Sequence, residues 1–160
     1  MNVLYVDFEK CFDKIDFKIL LNKLKLKGVR GKAYGWIKNF LTNRTFRVRV
    51  GEKLSDEENV VSGIPQGTCL GPLLMLVMNS DIDTKIKNGK TGTLADDTKV
   101  TIVLKCNSDN TKMQEDLNSL EHWSEMNNVK MNDDKFVLLC YNSNPQIINN
   151  HYSLKSGIVI

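Results

Sequence analysis

At 160 residues and 18.2 kDa the chain is long enough for one domain that buries a sizeable apolar core without disulfides or metals. With 41% hydrophobic and 26% charged residues it has an ordinary globular composition, which excludes disordered and collagen-like chains. The formal net charge of +3 is too small by itself to establish a nucleic-acid partner.

Cys11, Cys69, Cys106 and Cys140 stand tens of residues apart, with no Cys-x-x-Cys pair and only His122 and His151 as companions, which speaks against a zinc cluster. No charged stretch followed by an apolar one opens the chain. The longest apolar run, around Leu70 to Met78, is too short to span a bilayer. The expectation is an intracellular protein with reduced thiols and no membrane partner.

In chain order, Val3-Leu4-Tyr5-Val6 is a β-branched and aromatic run ending in Asp7, which predicts a buried strand with a carboxylate at its C-terminal tip. Phe17, Leu20, Leu21 and Leu24 recur at helical spacing before Gly28, so residues 16–27 read as an amphipathic helix. Seven basic residues between Lys14 and Lys32 face one acid, Asp16; that stretch reads equally as a phosphate-facing surface and as a solvated helix face. A second helix carries the apolar stripe Ala33, Trp36, Ile37, Phe40 and Leu41. From Thr45 to Val50 the period becomes two, with Phe46, Val48 and Val50 on one face and Arg47 and Arg49 on the other, which predicts a hairpin arm.

A short strand is expected at Val60-Val61. A loop with Gly63, Pro65, Gln66, Gly67, Gly71 and Pro72 then leads into Leu73 to Met78, apolar all round and read as a buried helix. Two β-prone runs, residues 93–95 and 98–104, flank Asp96-Asp97, which predicts a hairpin with carboxylates at its tip. Thr111 and Gln114 resemble a capping box, and Met113, Leu117, Leu120 and Trp123 form the core face of the helix that follows. Residues 129–131 and 136–141 are strand-like, and the Asn-rich end from 143 to 160 is expected to be loosely ordered. The order predicts an α+β fold, an antiparallel sheet with helices packed on one face.

Nucleotidyl transfer by two metals needs carboxylates fixed around a pair of divalent cations roughly 4 Å apart. Asp7 at one strand tip and Asp96-Asp97 at a hairpin tip offer the hard oxygen ligands that Mg²⁺ prefers. Each signal alone is weak, since an Asp pair is common in turns and Asp133-Asp134 is a second one here.

Taken in order, the segments are more specific. Residues 5–16, Tyr5-Val6-Asp7-Phe8 through Asp16, resemble motif A of the reverse transcriptases of jockey-type and other LINE-like elements. Ser62-Gly63-Ile64-Pro65-Gln66-Gly67 and the residues to Leu74 resemble motif B, and Leu94-Ala95-Asp96-Asp97-Thr98 motif C. The resemblance runs over roughly residues 2–142, which it identifies as a reverse transcriptase palm region.

The resemblance implies an RNA-directed DNA polymerase that uses two Mg²⁺ ions, or Mn²⁺, with an RNA template, a DNA primer and deoxynucleoside triphosphates as partners, acting in the nucleus. Asp7, Asp96 and Asp97 would be the catalytic carboxylates and metal ligands, with the Phe8 carbonyl a further ligand. Phe12 would lie under the incoming sugar, and Gln66 and Gly67 against the nucleotide. Lys135, in a motif D-like Asn132-Asp133-Asp134-Lys135, would stand near the departing pyrophosphate. Arg44, Arg47 and Arg49 would contact template or primer phosphates.

Departures from the pattern are Leu94 in place of an aromatic residue, Cys11 in place of Ala, and no second Trp after Trp123. The resemblance begins almost at motif A, so the fingers and thumb are expected to be incomplete. The alternative is a catalytically silent palm remnant with at most non-specific nucleic-acid binding.

Overall fold

A computed structural model describes residues 1–94, 97–104, 109–141 and 151–157. Rather than one undivided core, the chain forms two compact units, one of residues 1–11 with 79–160 and one of residues 12–78.

The first unit is built on a four-stranded antiparallel sheet in the order β6-β7-β1-β8: β1 Asn2–Val6, β6 Lys90–Leu94, β7 Asp97–Ile102 and β8 Val137–Cys140. Leu4 lies opposite Val100 and Val6 opposite Thr98, and all four are buried. Alternation puts the next residues on the other face, where Tyr5, Lys99, Val137 and Leu139 stay exposed. The sheet is therefore covered on one face and largely exposed on the other, where Val3 of the central strand is nevertheless buried.

Helix α5, Asn110–Met126, buries the predicted Met113, Leu117, Leu120 and Trp123. The Trp123 ring lies 5.6 Å from that of Phe8 and its indole N–H donates to Asp81 Oδ1 at 2.8 Å. The capping box is not formed. The helix begins two residues earlier than expected, and Gln114 instead bonds Asn118 and the backbone of Ser153. Strand character at 129–131 reduces to a single bridge, Phe8 to Met131.

Asp116 on α5 is 1% exposed and accepts main-chain N–H bonds from Lys87 (2.9 Å), Asn88 (3.1 Å) and Gly89 (2.7 Å), fixing the turn that enters β6. An amide there keeps one acceptor and turns a donor toward donors. Asp116→Asn is expected to cost about 2 kcal/mol in urea unfolding, with faster hydrogen exchange at the Gly89 amide.

In the second unit, α2 Phe17–Leu26 starts where predicted, with Asp16 Oδ1 accepting from the N–H groups of Lys18 (2.7 Å) and Ile19 (3.2 Å). Its Lys23 is buried and donates to the Met78 carbonyl at 2.6 Å. Helix α3, Gly31–Leu41, forms as expected, but Leu41 is its only buried residue, so the apolar stripe does not face a core. The predicted strand at residues 45–50 is split. Thr45–Phe46 (β2) pairs with Glu58–Asn59 (β5), and Arg49–Val50 (β3) with Lys53–Leu54 (β4), so Val60-Val61 is not a strand. Phe46, Val48 and Val50 are exposed, because a two-stranded ribbon has no layer beneath it.

Helix α4, Leu70–Asn79, buries Leu74, Met75 and Met78 but leaves Leu73 and Leu76 exposed, so it is amphipathic rather than apolar-buried on all sides. A short helix α1, Cys11–Lys14, follows the segment after β1. Residues 143–150 and 158–160 of the predicted loose end lie outside the described residues; within 151–157, Tyr152 and Leu154 are buried and the Tyr152 hydroxyl accepts from Asn2 Nδ2 at 3.2 Å. Among the described residues no helix is long and apolar enough to cross a membrane.

Candidate active site

Asp7 directly follows the last residue of β1, and Asp97 is the first residue of β7. The paired register ends at Val6 opposite Thr98, so the two aspartates flank that pair on neighbouring antiparallel strands. Continuing the alternation by one residue assigns both to the same face of the sheet. Asp96 lies outside the described residues.

Two groups converge on one oxygen of Asp7. Lys135 Nζ is 3.1 Å from Oδ2, and Asn132 Nδ2 donates to the same atom at 3.2 Å. The Asp7 side chain is 15% exposed, that of Lys135 63%. Backbone pairing holds this arrangement: the Asn132 N–H donates to the Asp7 carbonyl (2.9 Å) and the Glu9 N–H to the Lys130 carbonyl (2.8 Å). These flanking bonds leave the Phe8 carbonyl unused by the bridge to Met131. Lys130 also pairs with Glu9 Oε1 at 2.7 Å, which holds its ammonium above the ordinary lysine range. Asp7, Phe8, Glu9, Lys10, Asn132 and Lys135 line a cavity of about 340 Å³.

In the second unit, the segment 62–66 is laid against residues 12–15. The Gly63 N–H donates to the Ile15 carbonyl (2.9 Å) and the Ile64 N–H to that of Phe12 (2.7 Å). The Ser62 hydroxyl donates to the Asp13 carbonyl (2.8 Å), and Gln66 Nε2 to Asp13 Oδ1 (2.9 Å). Phe12, Gln66 and Gly67 thus line one cavity of about 280 Å³, with Pro65, Thr68, Gly71 and Pro72.

Arg44 is turned inward on its own unit, donating to the carbonyls of Leu41 (2.8 Å) and Gly63 (2.7 Å). Arg47 pairs with Glu57 at 2.9 Å and Arg49 donates to the Gly51 carbonyl at 2.9 Å; both are exposed. Sequence reasoning missed Asn132 and Asp13 as partners. Asn132 had a signal, standing three residues before Lys135 in the motif D-like segment; Asp13 had only its place after Phe12.

Among the described residues no group of three or more His, Cys, Asp or Glu side chains is gathered to hold a metal ion. What the residues offer fits a hard cation nonetheless. The Asp7 carboxylate already carries a positive charge against it, the lysine ammonium, and Asp97 adds oxygen donors without competing thiol or imidazole.

An antiparallel sheet with helices on one face and acidic residues at adjoining strand ends is the architecture of a polymerase palm. The reverse transcriptase (RNA-dependent DNA polymerase) family matches residues 2–152, and the chain belongs to that family. Relatives include the probable RNA-directed DNA polymerase from transposon X-element of Drosophila melanogaster, 32% identical over 146 residues, and the RNA-directed DNA polymerase from mobile element jockey of the same fly, 33% identical over 139. These alignments cover 88% and 82% of this chain but only 16% and 15% of the relatives, so it spans about one sixth of their length.

Among solved structures, a Candida tropicalis telomerase in complex with a TWJ fragment of telomeric RNA matches with a TM-score of 0.68 at 15% identity, over 89% of this chain and 26% of that one. The apo telomerase of the same yeast matches with a TM-score of 0.63 at 16% identity, over 99% and 31%. At these identities the likeness shows the fold, a partial palm.

Proposed function

We propose that the chain is the palm portion of an RNA-directed DNA polymerase in which Asp7, Asp96 and Asp97 hold two Mg²⁺ ions, with Mn²⁺ able to replace them, for transfer of a deoxynucleotide to a DNA primer. The observation that carries this reading is the pair Asp7 and Asp97 flanking Val6 and Thr98 at the ends of adjacent strands. The Phe8 carbonyl, not used by the bridge to Met131, is a further ligand. Bound there, the ions would supply charge neutralisation for the attacking and departing oxygens.

The chain's own groups do the rest. Lys135, on an exposed stem, leaves Asp7 and neutralises the departing pyrophosphate. The Phe12 ring takes the sugar side of the incoming deoxynucleoside triphosphate, and Gln66, oriented by Asp13, together with Gly67 takes the side toward the template RNA. Arg47 and Arg49 contact template or primer phosphates, while Arg44 orders the segment at Gly63. With this activity the site of action would be the nucleus.

Primer extension on an RNA template with Mg²⁺ tests the proposal. Any extension by the chain is expected to be lost in Asp96→Asn; equal signals would mean that the activity is not this site's.

A further inference from the structure

Helix α3 carries an apolar stripe, yet Trp36 within it is 61% exposed. Its ring stacks on Phe40 at 5.7 Å with the planes 19° apart, which sets the indole as a supported platform on the helix surface. The charge of the sequence around it is of one sign. Between Phe17 and Gly51 there are ten basic residues and no acidic one. Lys32 stands one turn before Trp36 on the same side of the helix.

We propose that this face of α3 is a binding site for single-stranded RNA, with an unpaired base stacked on Trp36 and a neighbouring phosphate held by Lys32. An exposed aromatic supported by Phe40, on a helix that carries lysines and no acid, suits a polyanion that offers flat rings, and only a single strand offers them, since a duplex hides its base faces. The absence of acids from α2 and α3 disfavours a basic protein partner, and the aromatic platform would be idle against phosphate alone. The proposal deepens the polymerase reading by adding a second place that holds the same nucleic acid. It needs no metal.

The chain's two tryptophans make the test direct, because Trp123 is 1% exposed and only Trp36 is available to a base. The probe is an unstructured oligoadenylate of roughly twelve nucleotides, titrated at low salt without divalent cation. Tryptophan emission is expected to be quenched, with affinity falling steeply as salt rises. Trp36→Ala should abolish the quench and weaken binding about tenfold without changing the circular dichroism spectrum, whereas Trp36→Tyr should recover most of the affinity. Duplex RNA of the same length should not quench.

Wild-type affinity in Trp36→Ala, equal quenching by duplex, or a concentration-dependent shift of Trp36 emission without RNA would each overturn the proposal, the last by showing a second copy on this face. The two readings fail separately. Asp7→Asn should leave the quench intact, and primer extension that ignores Asp96 would remove the polymerase reading while leaving this one standing.

Discussion

Gly63→Ala is expected to destabilise the unit of residues 12–78 by about 4 kcal/mol, among the largest effects of any single methyl group in this chain. Gly63 has φ +88°, and a Cβ built there would lie 2.6 Å from the Asp13 carbonyl oxygen and 2.9 Å from its carbonyl carbon and Cα. The left-handed backbone alone costs about 1–2 kcal/mol for a residue with a side chain. The clash adds more, because all three neighbours are backbone atoms and cannot rotate away. The segment is also fixed from both sides, by the N–H bonds of Gly63 and Ile64 to the carbonyls of Ile15 and Phe12. Thermal unfolding followed by circular dichroism should show a midpoint lower by about 10 °C. Gly35→Ala is the matched control. Gly35 lies inside α3 with nothing within 4 Å of its added Cβ, so alanine there should stabilise by about 0.5–1 kcal/mol.

The second large effect concerns Asp7. Asp7→Asn should weaken Mn²⁺ binding by at least about 100-fold, since even outer partners of metal ligands cost 10–100-fold when removed. The substitution keeps the shape and the bond from Asn132 while deleting the charge that Lys135 now faces at 3.1 Å. Lys135→Gln should act in the opposite direction. Removing the ammonium from Asp7 Oδ2 frees the oxygen that a divalent cation would take, so Mn²⁺ affinity should rise several-fold. Calorimetric titration reads both changes. A fall in affinity in Lys135→Gln would mean that the lysine supports the cation rather than competing with it.

Much of this arrangement was legible from residue patterns. The run Val3 to Val6, the spacing of Phe17, Leu20, Leu21 and Leu24, and the core face Met113, Leu117, Leu120, Trp123 each led to the element that forms, because burial on one side imprints its period on the chain. The hairpin bearing Asp97 followed from two β-prone runs about a short acidic turn. Where pattern failed, it failed for an identifiable reason. Period 3.6 in α3 marks an apolar side but not what covers it, and here nothing within its unit buries Trp36. Alternation at residues 45–50 marks a strand but not a second layer. Gln114 had the spacing of a capping residue, yet its partners, Asn118 and Ser153, depend on how residues far along the chain return to the helix. The bonds of Asn132 and Lys135 to Asp7 likewise join residues more than 120 positions apart, which no local period can encode.

The central claim is that Asp7 and Asp97 share bound divalent cations, and Mn²⁺ binding to Asp7→Asn, Asp97→Asn and the double variant tests it most directly. Ligands of one ion do not lose affinity independently, so each single substitution should remove most of the binding and the double variant should be little worse than either. Full additivity of the two losses, or wild-type affinity in either single variant, would contradict a common site.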